Sequence, residues 1–464
     1  MPVTEDMKDP GTPDSVEIQD RAPEPIWDPT LGIPIPAPQV GRPKNRLVAI
    51  GDSLTQGFQS GAIFNTRLSY PMIIAWEMGW DQLRYPTYDG FGGLPFNIEY
   101  IIRRLEDRFG PEIRWWDVPL AYFELRHLLA EIEDWWERGP GSVIPSAVGI
   151  KHNLAVWGWD LRDTFKRTYT IEEALINKPQ DSIFLPLVSN ANERTALRVL
   201  DTAFDATSNY LLTPLQAAKA LGDQGTIEDP AGDGIETLIV MIGANNALGT
   251  VVQLKVNWST SPDYQDLNKK SAFTIWDPDH FASEFKILVS EVKKIRARHI
   301  IWCTVPHVTI VPIAHGVGIS KIRPRSRYFP YYTRPWISDS EFDPSEDPYI
   351  TAVQARAIDS AIDQYNQQIV GAVRAARKGS GGEPARDWYL LDIAGILDRL
   401  ASRRYIEDLQ ARPGWWTPYE LPHALQQLKP VPDSKFFVSE PEGRVSGGLF
   451  ALDGIHPEVT AIGV

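Results

Sequence analysis

The sequence predicts an α/β protein: a parallel β-sheet with helices on both of its faces. Three observations lead there. Short apolar runs recur along the chain, and each is closed by Gly or Pro. Helical patterns lie between several of them, and the polar residues best suited to chemistry follow the ends of the runs. Strands that alternate with helices are joined by crossovers, which make the sheet parallel and bury both faces. Ligands bind such sheets outside the carboxyl ends of the strands, so each strand-terminal residue is a site candidate.

Residues 1–45 are rich in Pro, Asp and Glu and lack periodicity, which reads as a flexible or extended arm. Order begins with Arg46-Leu-Val-Ala-Ile50, an apolar run closed by Gly51 and read as a buried strand. The same pattern gives strands over Asn153–Val156, before Trp157-Gly158, and over Glu236–Ile242, before Gly243. It recurs over His299–Val305, before Pro306, and over Trp388–Asp392, before Ile393-Ala-Gly395. Helical patterns run from Phe281 to Ala297, from Ile350 to Arg377 and from Ala191 to Ala203. Five strands fit one doubly wound domain over residues 46–464. The first two are separated by about a hundred residues, far beyond an ordinary crossover. The insertion at about 100–147 belongs to that excess, and further insertions are read at about 165–232 and 312–349. Of these, Pro111–Pro145 is rich in Trp, Leu and Glu and predicts added helices, whereas Pro312–Tyr349 is full of Pro, Tyr, Arg and Asp. Lys378–Pro384 reads as a surface loop.

A hydrophobic fraction of 43% over 464 residues supplies a large core. The net charge of −14, with a pI of about 5.1, repels phosphate backbones and anionic lipid, which excludes nucleic acid as a partner. The only cysteine, Cys303, lies in an apolar run and reads as a buried structural thiol, so no disulfide is expected. No stretch approaches the roughly 20 apolar residues of a membrane span. The N-terminus lacks the basic start and apolar run of a signal peptide, and the expected location is cytoplasmic.

Four motifs carry chemistry. Gly51-Asp52-Ser53-Leu54-Thr55-Gln56-Gly57 follows the first strand and opens a helix, placing the Ser53 hydroxyl at the sheet edge beside free helical N–H groups. An N-cap serine is the plain structural reading of that position. The other end of the chain, Leu452-Asp453-Gly454-Ile455-His456-Pro457, shifts the balance. A serine hydroxyl needs a general base, neutral imidazole serves near pH 7, and a carboxylate fixes its tautomer. Asp453 and His456, three residues apart, fit on one side of a turn. Of the other histidines only His307, just past a strand end, is a rival base. Gly243-Ala244-Asn245-Asn246 offers a side-chain amide at a strand end, and Gly158 offers a backbone N–H where chain and substrate approach closely. Each of these two also reads as a simple turn.

These motifs, in this order and at strand ends, resemble the SGNH, or GDSL, hydrolase family. Gly51–Leu54, extended to Thr55 and Gly57, looks like its first block. Asn153-Leu-Ala-Val-Trp-Gly158 is similar to the second, Gly243-Ala-Asn245 to the third, and Asp453-Gly-Ile-His456-Pro457 to the fifth. The likeness covers roughly residues 46–464 as a framework and leaves the insertions aside. It implies a three-layer α/β/α sandwich with a flavodoxin-like, five-stranded parallel sheet. It also implies ester hydrolysis by Ser53, with His456 as base, Asp453 behind it, and an oxyanion hole of Ser53 N–H, Gly158 N–H and the Asn245 amide. Asp52 and Asn246 would support that shell, and no metal or organic cofactor is implied.

Three departures stand out. Asn246 occupies a position where the family usually has Asp. Gly90, Gly92 and Gly93 compete with Gly158 for the role of the second-block glycine. The chain stops at Val464, eight residues after His456, where a closing helix is usual, so that helix is expected to be missing or the sequence truncated. The expected partner is a small-molecule or glycan ester. Carbohydrate acetyl esters and acyl transfer to an alcohol are alternatives, as is a binding module with a decayed site. The tryptophan pairs Trp115-Trp116, Trp135-Trp136 and Trp415-Trp416 read as helix packing before sugar platforms. Arg323–Arg334 reads either as a lid or as a packed loop.

Overall fold

The structure, a computed structural model, describes residues 4, 7–35, 40–145, 149–176, 186–201, 212–318, 326–379 and 382–458. At its centre four strands, β1 (Asn45–Gly51), β2 (Ile235–Met241), β3 (Ala297–Cys303) and β4 (Trp388–Leu391), form a parallel sheet in that spatial order. The register aligns Ala49 with Ile239, Ile239 with Ile301, and Ile301 with Tyr389. Around the sheet lie α1 (Ser53–Gln56), α2 (Tyr70–Glu77), α3 (Val118–Glu137), α4 (Ala191–Val199), α5 (Pro214–Gly222), α6 (Pro278–Val292) and α7 (Ala352–Lys378).

Alternation along the strands decides which helix packs where. Val48, Ile50, Leu238, Val240, Ile300 and Trp302 point to one face, against Leu215 of α5, Phe281, Phe285 and Leu288 of α6, and Ile362, Tyr365 and Ile369 of α7. Their neighbours Leu47, Ala49, Ile239, Met241 and Cys303 point to the other, against Met72 and Ala75 of α2 and the following Trp80 and Leu83. Capping boxes start α5 at Thr213/Gln216 and α7 at Thr351/Gln354, satisfying N–H groups that the first turn leaves over.

Among the described residues the sheet has four strands, and the fifth that was expected does not join it as a regular strand. His152–Val156 does run parallel along the free edge of β1, but Ala49↔Asn153 is its only bridge. Ala49 N–H donates to His152 O (2.8 Å) and Leu154 N–H to Ala49 O (2.8 Å), while the next bond, Val156 N–H to Gly51 O, is already 3.3 Å long. The chain turns away at Trp157-Gly158 before a second pair forms.

The helix expected over Phe281–Ala297 starts at Pro278, capped by Asp277, and stops at Val292, while Ala297 opens β3. Ile295 is buried in the connecting turn, so it mimics the helical apolar period past the true end. The helix read from Ala191 to Ala203 ends at Val199, and 202–203 lie outside the described residues.

Residues 7–35 run irregularly along α7 and β4. Glu17 N–H donates to Gln364 Oε1 (3.0 Å), Gln19 N–H to Ser360 Oγ (3.0 Å) and Leu390 N–H to Pro29 O (2.9 Å). The insertion at 100–147 carries most of Ile98–Phe109 and all of α3. Trp136 and Trp416 are buried as packing predicts, but Trp115 and Trp116 are exposed. Within 312–349, Tyr331–Thr333 is the middle strand of a small antiparallel sheet, between His315–Val317 and Ile350–Thr351. Tyr328, Tyr332 and Thr333 are buried there, which fits a packed layer and not a lid; residues 319–325 lie outside the described residues. So do 380–381 of the Lys378–Pro384 loop and 459–464 at the chain end. Among the described residues no helix is long and apolar enough to cross a membrane.

Candidate functional site

The carboxyl ends of β1 and β2 carry Ser53 and Asn245 to one edge of the sheet, while neither Asn245 nor Gly158 is among the residues lining the cleft at Ser53. Gly51 ends β1 so close to β2 that a Cβ there would sit 2.6 Å from Met241 O, so only glycine fits this turn. Asp52 follows as the N-cap of α1. Its buried carboxylate accepts from Leu54 N–H (3.2 Å) and from Ala244 N–H, tying the β1 and β2 loops together. Burial pushes this carboxyl up to about 6, against the pull of those N–H groups and of His456. Ser53 is the first residue of α1 and is nearly buried.

Leu452–Pro457 delivers the second half of the site. Asp453 Oδ2 lies 2.9 Å from His456 Nδ1 and accepts from Gly61 N–H at 3.1 Å. Asp453 Oδ1 accepts from the backbone N–H of Ile455 (2.8 Å) and His456 (3.0 Å). Burial works against the Asp453 charge, but His456 and these N–H groups hold its carboxyl below the ordinary range. The imidazole is nearly buried, its ring centroid 4.8 Å from that of Phe58. Ser53 and His456 line one cleft of about 40 Å³, with Leu54, Ala244, Ile310 and Ile455 among its walls. Among the described residues no hydrogen bond joins the Ser53 hydroxyl to His456; the two share the cleft without touching through a proton.

The proposed oxyanion donors lie beside one another in the next loops. Asn245 commits one amide hydrogen to Trp159 O (2.8 Å), leaving the second available, and it borders a neighbouring depression with Asp160 and Lys270. Gly158 adopts φ +72°, where glycine is favoured, and its carbonyl accepts from Lys270 Nζ at 3.0 Å. Its rivals pack elsewhere: a Cβ on Gly90 would strike Trp135, and one on Gly92 would press on Ile132, both of α3. Asn246 is fully buried, and its Oδ1 accepts from Leu161 N–H (3.2 Å), so the residue fastens the Gly158 loop to β2.

His307, the rival base, also borders the cleft. Its Nε2 lies 2.9 Å from Asp363 Oδ1 and its Nδ1 lies 3.0 Å from Asp398 Oδ2. Burial opposes its charge, yet these two carboxylates, with Asp359 behind them, hold it protonated well above the ordinary histidine range. An imidazolium with both nitrogens engaged cannot accept a proton, which removes it as a base. Cys303 is buried, and burial together with nearby Asp52 pushes its thiol up to about 12, so it is no nucleophile.

Sequence reading passed over Gln56 and Gly61. Buried Gln56 accepts from Trp157 N–H (2.8 Å) and donates to Tyr88 OH (3.0 Å), so it sets the approach of the Gly158 loop. Gly61 N–H reaches Asp453 from the segment that follows α1. A polar side chain on the buried side of a four-residue helix was the only local signal for Gln56, and Gly61 had none. Among the described residues no group of three or more His, Cys, Asp or Glu side chains is placed to hold a metal ion. No protein-family model matches this chain, and neither a curated protein nor a solved structure shows significant similarity to it.

Proposed function

We propose that the protein is an SGNH-type serine ester hydrolase. The observation that carries this reading is the Asp453–His456 pair, joined at 2.9 Å, opening into the same cleft as the strand-end residue Ser53. In this reading His456 Nε2 takes the proton of Ser53 Oγ as the hydroxyl attacks the ester carbonyl. Asp453 keeps the proton of His456 on Nδ1 and stabilises the imidazolium that forms. The oxyanion is met by Ser53 N–H, Gly158 N–H and the second amide hydrogen of Asn245. His456 then protonates the departing alcohol, and water repeats the sequence on the acyl-enzyme. His152–Val156, bonded along β1, serves as the outermost strand of a five-stranded, flavodoxin-like sandwich.

A cleft of about 40 Å³ supports a short acyl group, because an octanoyl chain would have to displace its walls. The test is hydrolysis of p-nitrophenyl acetate, butyrate, octanoate and palmitate by the wild type and by Ser53→Ala. The expected result is acetate preferred, with turnover lost in the variant while its circular dichroism is unchanged. Ester hydrolysis persisting in Ser53→Ala overturns the assignment.

A further inference from the structure

Beyond the end of β3 seven ionisable side chains are buried together. His307, Arg327, Arg356 and Arg404 face the carboxylates Asp359, Asp363 and Asp398, and none is more than 6% exposed. Their pairing is uneven. His307 bridges Asp363 and Asp398, and Arg404 reaches Asp359 (3.1 Å) and Asp398 (3.8 Å). Arg356 Nη1 donates to Gln19 O at 3.0 Å. Arg327 is left over. Its carboxylate contact is Asp359 Oδ2, 3.9 Å from Nη2, and Nε, Nη1 and Nη2 are all buried without a hydrogen-bond partner. The guanidinium carbon sits 5.1 Å from the Tyr328 ring centroid. That contact eases the burial of the charge but does not satisfy the N–H groups. The Tyr405 hydroxyl beside Arg327 also lacks a partner of good geometry. Asp359 meets the charge of Arg327 only at 3.9 Å, and guanidinium N–H groups without acceptors are costly in a dry interior.

Arg327 borders a cavity of about 260 Å³ together with Arg403, whose Nε is likewise buried and unpaired. Arg403 Nη1 is 3.2 Å from His315 Nε2, and its Nη2 is 3.4 Å from exposed Asp339. Burial and the Arg403 charge push His315 down to about 4, so it is a neutral acceptor in this wall. The acidic group bordering the cavity, Glu407, is already held by Lys435 at 2.7 Å. We propose that this cavity binds a small oxyanion, a phosphate or a carboxylate, through the free N–H groups of Arg327 and Arg403. A planar guanidinium presents parallel donors that match the oxygens of either group. Ile310 and Val311 border both this cavity and the cleft at Ser53, so the anion lies one wall away from the proposed reaction centre. The inference does not depend on esterase activity.

The experiment is a titration of the full chain with inorganic phosphate and, separately, with acetate, followed by calorimetry and by melting temperature. Sodium chloride at matched ionic strength is the control. The wild type is expected to give a saturable response to at least one of the two probes and none to chloride. Arg327→Met and Arg403→Gln should each weaken that binding about tenfold or more, as the loss of charge-assisted hydrogen bonds implies. Arg327→Met should also melt no lower than the wild type without added anion, because it removes three buried nitrogens that lack acceptors. Phosphate alone or acetate alone as the effective probe decides between a tetrahedral and a planar anion, and either supports the proposal. No saturable response in the wild type, or equal affinity in Arg403→Gln, overturns it whether or not Arg327→Met folds.

Discussion

Asp453→Asn separates a working acid–base pair from an ordinary buried turn. The carboxylate accepts four hydrogen bonds: Ile455 N–H and His456 N–H at Oδ1, and Gly61 N–H and His456 Nδ1 at Oδ2. An asparagine has one oxygen. With that oxygen in the place of Oδ1, the amide NH2 meets the Gly61 N–H and the imidazole N–H, donor against donor. In the flipped rotamer the bonds to Ile455 and His456 N–H are lost instead. Two acceptor contacts to the carboxylate disappear either way, which amounts to about 2–4 kcal/mol of stability. The first rotamer is relieved if His456 moves its proton to Nε2, and that tautomer cannot take the proton of Ser53. The corresponding change in a well-characterised serine protease lowers kcat by about 10⁴, roughly 5.5 kcal/mol of barrier, and a loss of that order is expected here.

The assay is steady-state hydrolysis of p-nitrophenyl acetate at pH 7 beside urea unfolding of both proteins. A kcat within about tenfold of the wild type refutes the role given to Asp453. The acid limb supplies a check on sign. The Asp453 carboxyl is held below its ordinary value, so its stabilisation is present above about pH 4 and is lost as the pH falls through the lower folded value. The two proteins should therefore converge in stability in strong acid.

His307→Gln removes the imidazolium from between Asp363 and Asp398 and should cost about 3–5 kcal/mol in urea unfolding. The stabilisation from His307 is whole below about pH 6.5 and is lost only as the pH rises through its higher folded value. Activity per folded molecule should change little, and complete loss of turnover in a stable His307→Gln protein would make His307 the base. Asp52 gives the opposite kind of signal to Asp453. Its carboxyl is raised from 3.8 to about 6, so its contribution is present below pH 3.8 and falls by about 3 kcal/mol as the pH rises through 6. The stability difference between the wild type and Asp52→Asn should shift by that amount between pH 4 and 7, and a flat difference refutes the raised value. Asn245→Ala removes one of the proposed oxyanion donors and should lower kcat about 10²–10³-fold on p-nitrophenyl acetate with KM nearly unchanged. A KM effect alone would move Asn245 from the reaction centre to the binding of substrate.

The four sheet strands and the strand-end candidates were legible because their signals are local. An apolar run closed by glycine, as at Arg46–Gly51, needs no knowledge of distant residues to read as a buried strand. Asp453 and His456, three residues apart, form their hydrogen bond within one turn. The edge segment read over Asn153–Val156 has a strand's composition, but among the described residues it shows the single bridge Ala49↔Asn153, because pairing is a property of two segments. Composition marked residues 1–45 as an arm, but could not show that 7–35 lie against α7 and β4.

What the tertiary structure alone decided is the electrostatics. His307 stood past a strand end like any catalytic histidine. Its carboxylate partners are 56 and 91 residues away, and they turn it into a fixed cation. Arg327 sat in an insertion full of arginines, and only the packing reveals that its nitrogens are buried without hydrogen-bond acceptors while Arg404 holds Asp359 at 3.1 Å. A side chain's hydroxyl, imidazole or guanidinium is written in the sequence. Its charge state and its unmet hydrogen bonds depend on which distant groups the fold buries beside it, because desolvation and Coulomb energy act through space and not along the chain.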